Sequence, residues 1–77
     1  SSGTTGKYSR NEVEVMLVHR GNFEISCSHK GEEINATLKN GDIFTFPKDA
    51  VRNIHAKTYG FAYFIVGGDY PETPKLF

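Results

Sequence analysis

From Asn22 to Ser28 the chain alternates, with Phe23, Ile25 and Cys27 on one side and Glu24, Ser26 and Ser28 on the other. A two-residue period of this kind predicts a half-buried antiparallel strand. Glu32 to Lys39 repeats it, with Ile34, Ala36 and Leu38 inward and Asn35, Thr37 and Lys39 outward. Two other stretches carry a different pattern. Val13 to Val18 places Val13, Val15 and Leu17 on one face, and Met16 and Val18 with Glu14 on the other; Phe61 to Val66 is apolar on both faces. Strands of that type lie inside a sandwich or barrel, or at a subunit interface. Ile43 to Phe46 and Val51 to Ala56 bring the predicted strands to six. Pro47 has no N–H for a ladder and ends the first of these two, and Lys48 to Ala50 form a short polar loop before the second.

Glycines punctuate the pattern. Gly21-Asn22 and Asn40-Gly41 both predict hairpin turns, the second a type I′ turn with positive φ at both positions. His29-Lys30-Gly31 reads as a further turn and leaves His29 in a solvated loop. Gly67-Gly68 ends the last strand, and Pro71 and Pro74 keep the tail irregular. No helical period occurs. Short strands at intervals of about 8–12 residues point to an all-β sandwich or barrel. Residues 1–6, SSGTTG, read as a flexible lead-in or a processing or expression remnant, and residues 7–77 as one β domain.

Length and composition then narrow the picture. A chain of 77 residues with ten aromatic side chains (Phe 6, Tyr 4) can form one core, but below about 70–80 residues a core supplies only about 3–5 kcal/mol without help. The single cysteine, Cys27, rules out an internal disulfide and continues an apolar face, as a core residue does. That leaves a metal, a partner chain or further sequence as the source of help. Lys plus Arg equals Asp plus Glu at nine each, without the basic excess of a nucleic-acid binder. No apolar run approaches the roughly 18–20 residues of a membrane span. The lone thiol and the lack of a basic-then-apolar leader point to the cytoplasm.

One constellation carries more. Gly41 is followed after five residues by Pro47, then Asp49, Arg52 and Ala56; upstream, Glu14 is followed after six residues by Gly21. With a hairpin between them and an apolar closing strand after them, these spacings resemble the two motifs of the cupin superfamily, small jelly-roll barrels, over Tyr8 to Gly68. The resemblance implies a cupin-like jelly-roll, or double-stranded β-helix barrel. It also implies a shortfall of strands ahead of Glu14, so the barrel is expected to be incomplete at the N-terminus and completed by a partner chain, most simply in a homodimer.

The resemblance also fixes where a metal would sit. Cupins that hold iron, manganese, nickel, zinc or a similar ion use two histidines, the glutamate and the second-motif histidine. Position by position, this chain offers Tyr8, Arg10, Glu14 and Arg52 there, with Asp49 for a motif glycine and Ala56 for the motif asparagine. Only Glu14 is a usual ligand, because a guanidinium has no lone pair to give. The usual centre is therefore not expected. An alternative set, Glu14 with His19 and His55, needs a bulge, since His19 and His55 fall on the opposite strand faces from Glu14 and Arg52.

Three functional readings follow. In the first, the barrel binds a small and possibly acidic molecule without a metal, with Glu14 and Arg52 as polar anchors and Tyr8, Arg10, Met16 and Tyr63 beside them. A plain internal Glu14–Arg52 ion pair meets the same need of a buried charge for a partner. In the second, the chain is a cupin-type enzyme, a dioxygenase or isomerase, with a non-standard divalent metal site. In the third, it is a structural half-barrel that works only with a partner chain. The sequence shows no nucleophilic triad, cysteine pair of the zinc type or phosphate-binding glycine loop.

Overall fold

The computed structural model describes residues 3–77. Seven strands follow in order: β1 (Glu14–Arg20), β2 (Phe23–His29), β3 (Glu32–Leu38), β4 (Ile43–Phe46), β5 (Val51–Ala56), β6 (Phe61–Val66) and β7 (Lys75–Leu76). They form two sheets, ordered β4-β1-β6-β7 and β3-β2-β5, in which every ladder is antiparallel. Among the described residues no ladder joins one sheet to the other, so the fold is a jelly-roll sandwich whose barrel does not close.

Six of the strands are those predicted from the sequence. The seventh, β7, pairs Leu76 with Phe61 and Lys75 with Ala62. Pro71 and Pro74 hide so short a strand from any periodic reading. Phe77, just beyond it, sets its ring against Phe23 and Phe64 and donates its N–H to the Gly60 carbonyl at 2.9 Å.

The N-terminal segment has its own place. Residues 1–2 of the expected lead-in lie outside the described residues. Residues 3–8 run beside β5, with isolated bridges from Thr4 to His55 and from Tyr8 to Arg52. Ala56 donates to the Gly3 carbonyl at 2.7 Å and Thr5 to the Ile54 carbonyl at 2.9 Å. Small polar residues suffice because these contacts use backbone groups, which must be satisfied in any case, and short hydroxyls: Ile54 N–H donates to Thr5 Oγ1 at 3.1 Å and Thr4 Oγ1 to Asn53 Oδ1 at 3.0 Å.

Two of the expected hairpins are sheet-to-sheet crossings instead. β1 pairs with β4 and β6 and not with β2, and β3 pairs with β2 and not with β4. At Asn40-Gly41 only Gly41 has positive φ, at 85°, and the Asp42 N–H reaches the Lys39 carbonyl, which is a type II turn. The Asn40 side chain accepts from the Gly21 N–H at 2.7 Å, so the two crossings are tied together. Gly21 itself has φ 118° and lies so close to Gly60 that a Cβ would meet its Cα at 2.9 Å. Positive φ at both turn positions occurs instead at Lys30-Gly31 (50° and 79°), between β2 and β3, and at Gly67-Gly68 (61° and 81°), just after β6. His29 belongs to β2, paired with Glu32, and is half-buried rather than in a solvated loop.

The core lies between the sheets. Met16, Val18, Phe46 and Ala62 come from one, and Phe23, Ile25, Cys27, Leu38, Ile54 and Ala56 from the other. Burying a side chain the size of Phe, Met or Ile contributes roughly 1.5–3 kcal/mol. The four-stranded sheet has a second apolar face, turned outward. Register places Val15 beside Ile65, and Leu17 between Ile43 and Tyr63. Ile43 is 64% exposed there, and Val13, one residue before β1, is 50% exposed.

Candidate functional site

The inward face of β1 begins with a carboxylate, Glu14, ahead of Met16 and Val18. The inward face of β5 begins with a guanidinium, Arg52, ahead of Ile54 and Ala56. Stacking the sheets brings the two together: Arg52 Nη1 donates to Glu14 Oε1 at 2.9 Å, and both side chains are fully buried. Arg52 is the largest fully buried side chain in the protein.

Its neighbours come from the N-terminal segment. Tyr8 exchanges both backbone hydrogen bonds with Arg52, each at 2.9 Å. That pairing lays the Tyr8 ring over the guanidinium, 5.2 Å from ring centre to Cζ, and delivers the phenol O–H to Glu14 Oε1 at 2.7 Å. Two residues on, Arg10 Nε donates to Glu14 Oε2 at 2.9 Å. On its far side Arg52 stacks on Phe46 at 4.7 Å, and its Nη2 donates to the Pro47 carbonyl at 3.0 Å. Arg52 Nε is buried with no hydrogen-bond partner. Asp49, at the place of the motif glycine, has φ 65° and donates its N–H to the Arg10 carbonyl at 2.8 Å. Aspartate tolerates this left-handed backbone better than most residues.

The electrostatics are lopsided. One carboxylate accepts three hydrogen bonds, two of them from cations, so its charge is fully answered. The two guanidiniums leave one positive charge over. Tyr8 does not cancel it: burial, the hydrogen bond to Glu14 and the charge of Glu14 all push its phenol pKa well above the ordinary value. The phenol therefore stays neutral and donates. Burial likewise raises the pKa of the Cys27 thiol, in keeping with a core residue.

Above this network lies a cleft of about 430 Å³, lined by Thr5, Tyr8, Arg10, Glu14, Phe64, Pro71, Thr73, Pro74 and Lys75. Of the residues singled out from sequence, Tyr8, Arg10 and Glu14 line it. Arg52 is sealed within the interior rather than lining it. Met16 is packed in the core at full burial. Tyr63 lies on the outer face, edge-on to His19 at 6.2 Å. Phe64 and the tail residues 71–75 were not anticipated. Phe61 to Val66 is apolar throughout, so its pattern does not tell which face turns inward. The tail reaches the cleft only because β7 pairs with β6.

The arrangement does not suit the metal centre that the sequence resemblance brings to mind. Arg10 and Arg52 offer no lone pair, and Glu14 already has three donors. Nor are Glu14, His19 and His55 assembled as a ligand set. Glu14 points into the interior, His19 packs outside against Tyr63, and His55 alternates with Arg52 and Ile54 onto the opposite face of β5. Among the described residues no group of three His, Cys, Asp or Glu side chains is placed to hold a metal.

No family model matches the chain, and no curated protein matches it by sequence. Solved structures do match. The Drosophila melanogaster CENP-C cupin domain superposes with a TM-score of 0.77 at 17% identity, covering 84% of this chain and 53% of that one. The structure of Drosophila melanogaster CENP-C bound to CAL1 gives 0.78 at 17% identity, over the same shares of the two chains. A further Drosophila melanogaster CENP-C structure gives 0.66 at 15%, covering 80% of this chain and 48% of that one. The chain spans about half the length of the structures it matches. On this likeness, and on its two antiparallel sheets, the fold of the chain is that of a cupin.

Proposed function

We propose that the chain is a partner-binding cupin module, and that its docking surface is the outer face of the four-stranded sheet. The observation that carries this reading is the chemistry of that face. Val15, Leu17, Ile43, Tyr63 and Ile65 adjoin one another across β4, β1 and β6, and Ile43 and Val13 are half or more exposed. Val15, Leu17, Tyr63 and Ile65 are partly exposed beside them, and a contiguous exposed apolar patch marks a site of association. The occupant we commit to is a second copy of the chain. Equal numbers of acidic and basic residues leave no net charge to oppose self-association. β1 lies inside its sheet between β4 and β6, so a two-fold axis over β1 would bury the same patch on both copies. That a structural neighbour, Drosophila melanogaster CENP-C, has been solved bound to CAL1 supports a partner-binding role for this fold.

Sedimentation equilibrium tests it. The wild-type chain is expected at twice its chain mass, and Leu17→Glu or Ile43→Glu at the chain mass with unchanged far-UV circular dichroism. An unpaired carboxylate buried in the interface is expected to weaken association by at least about 100-fold. A wild-type chain that stays monomeric at millimolar concentration overturns the reading.

A second reading, small-molecule binding, is favoured by the cleft over Tyr8, which combines a polar floor with the apolar walls of Phe64, Pro71 and Pro74. In this reading Arg10, not the sealed Arg52, is the anchor. A fragment screen by amide NMR is expected to move the signals of Thr5, Arg10, Thr73 and Lys75; a screen that moves none of them removes it.

A further inference from the structure

The cleft carries more positive charge than it can use. Arg10, Arg52 and Lys75 stand in or behind it against a single carboxylate, Glu14. No other acidic side chain lines it. Glu14 is fully answered by Arg52, Arg10 and Tyr8, so it cannot neutralise anything further. Arg10 gives only its Nε to Glu14, and its side chain is 47% exposed. Its two terminal nitrogens make no hydrogen bond to the described residues, and its guanidinium is braced against the Tyr8 ring at 5.4 Å. That is a guanidinium held in place by one edge with its fork left free. Lys75 faces the same cleft from β7, its Nζ 5.5 Å from the centre of the Phe77 ring and in no ion pair with the described residues.

We propose that this cleft binds a small monocarboxylate with an apolar body. The carboxylate engages the free nitrogens of Arg10 and the Lys75 ammonium, while the body lies on Phe64, Pro71 and Pro74. A planar carboxylate matches the two-pronged geometry of a guanidinium, and a half-buried cation pays less to lose water than a fully hydrated one. The apolar wall excludes bare inorganic anions as the best occupants, because they leave Phe64 and the prolines uncovered. The preference for an anion rests on the small-molecule reading above and goes beyond it by naming the chemical class.

Benzoate and its neutral isostere benzamide separate the two. Each is titrated into the full chain while amide NMR signals of Thr5, Arg10, Thr73 and Lys75 are followed. Benzoate is expected to saturate those signals at a concentration about tenfold or more below benzamide. Arg10→Gln is expected to remove that advantage, and Lys75→Gln to reduce it by about threefold or more. Lys75 is outside the buried network, so it decides the matter if Arg10→Gln does not fold. Equal binding of benzoate and benzamide, or benzoate binding untouched by Lys75→Gln, overturns the carboxylate preference while leaving the cleft a small-molecule site. Failure of both compounds to move any of the four signals overturns both.

Discussion

Replacing Arg52 by methionine is the most informative single perturbation of this chain. The change keeps a long side chain in the space between Tyr8 and Phe46 but removes the guanidinium. Glu14 loses one of its three donors and keeps the Tyr8 phenol and Arg10 Nε. The Pro47 carbonyl loses its bond from Nη2, and stacking on two rings goes with it. Breaking one side of a buried ion pair costs about 3–5 kcal/mol. Because Arg10 still answers Glu14, the expected loss lies near the lower end, about 3 kcal/mol. For a chain of 77 residues, total stability is roughly 4–12 kcal/mol, so this is a quarter or more of the whole. A loss of that size lowers Tm by about 12–24 °C. Urea unfolding followed by far-UV circular dichroism measures it, at one fixed protein concentration because association adds to apparent stability. Glu14→Gln is expected to cost more, since it leaves two guanidiniums facing each other with no carboxylate. The double variant Glu14→Met with Arg52→Met is expected to cost less than the two single changes added, by about 1.5 kcal/mol or more. A loss under about 1 kcal/mol for Arg52→Met, or strict additivity in the double variant, refutes the reasoning that Glu14 and Arg52 depend on each other as a buried ion pair.

Other expectations follow from the same geometry. The folded state raises the Tyr8 phenol pKa, so it holds a proton that the unfolded chain releases above about pH 10; Tyr8 therefore contributes stability that is complete below pH 10 and is lost as pH climbs beyond it. Tyr8→Phe should flatten this alkaline decline in a pH series of urea midpoints, and at neutral pH should cost about 1.5–3 kcal/mol for the lost bond to a carboxylate. At Gly60 a Cβ would meet Phe23 Cζ at 2.7 Å and the Arg20 carbonyl oxygen at 3.0 Å, so Gly60→Ala should destabilise by about 1–3 kcal/mol in the same unfolding assay. Gly31 has φ 79° with open space around it, and Gly31→Ala should cost about 1–2 kcal/mol from backbone strain alone.

Alternation in Asn22 to Ser28 and Glu32 to Lys39, short apolar runs elsewhere and the glycine and proline punctuation between them were enough to place six strands, because all of these are local properties of the chain. They could not say which strands are neighbours. Gly21-Asn22 and Asn40-Gly41 have the chemistry of hairpin turns, yet each carries the chain from one sheet to the other. What decides between these outcomes is which apolar faces meet, a long-range matter that turn residues do not encode. Phe61 to Val66, apolar at every position, gave no phase; Ala62 and Phe64 turn inward and Tyr63 turns out. Glu14, Arg52, Tyr8 and Arg10 were placed together through the cupin resemblance, and the structure gathers them into one network. Lys75 was invisible as a member of the cleft because its position depends on a two-residue strand.

The topology also sets a timetable for folding. Lys30-Gly31 joins two strands that pair at once, so the β2–β3 hairpin can form from local contacts alone. β1 has no such help. Its first partner, β4, is synthesised after that hairpin, and its second, β6, pairs Glu14 with Val66 from near the other end of the chain. A sandwich built on pairings this remote folds in milliseconds to seconds rather than microseconds. During synthesis β1 must therefore wait, apolar on both faces and with one edge bare, until β6 has left the ribosome. That interval leaves an unpaired strand edge and two apolar faces open to pairing with another chain, a hazard the finished sheet, with β1 between β4 and β6, no longer presents at that strand.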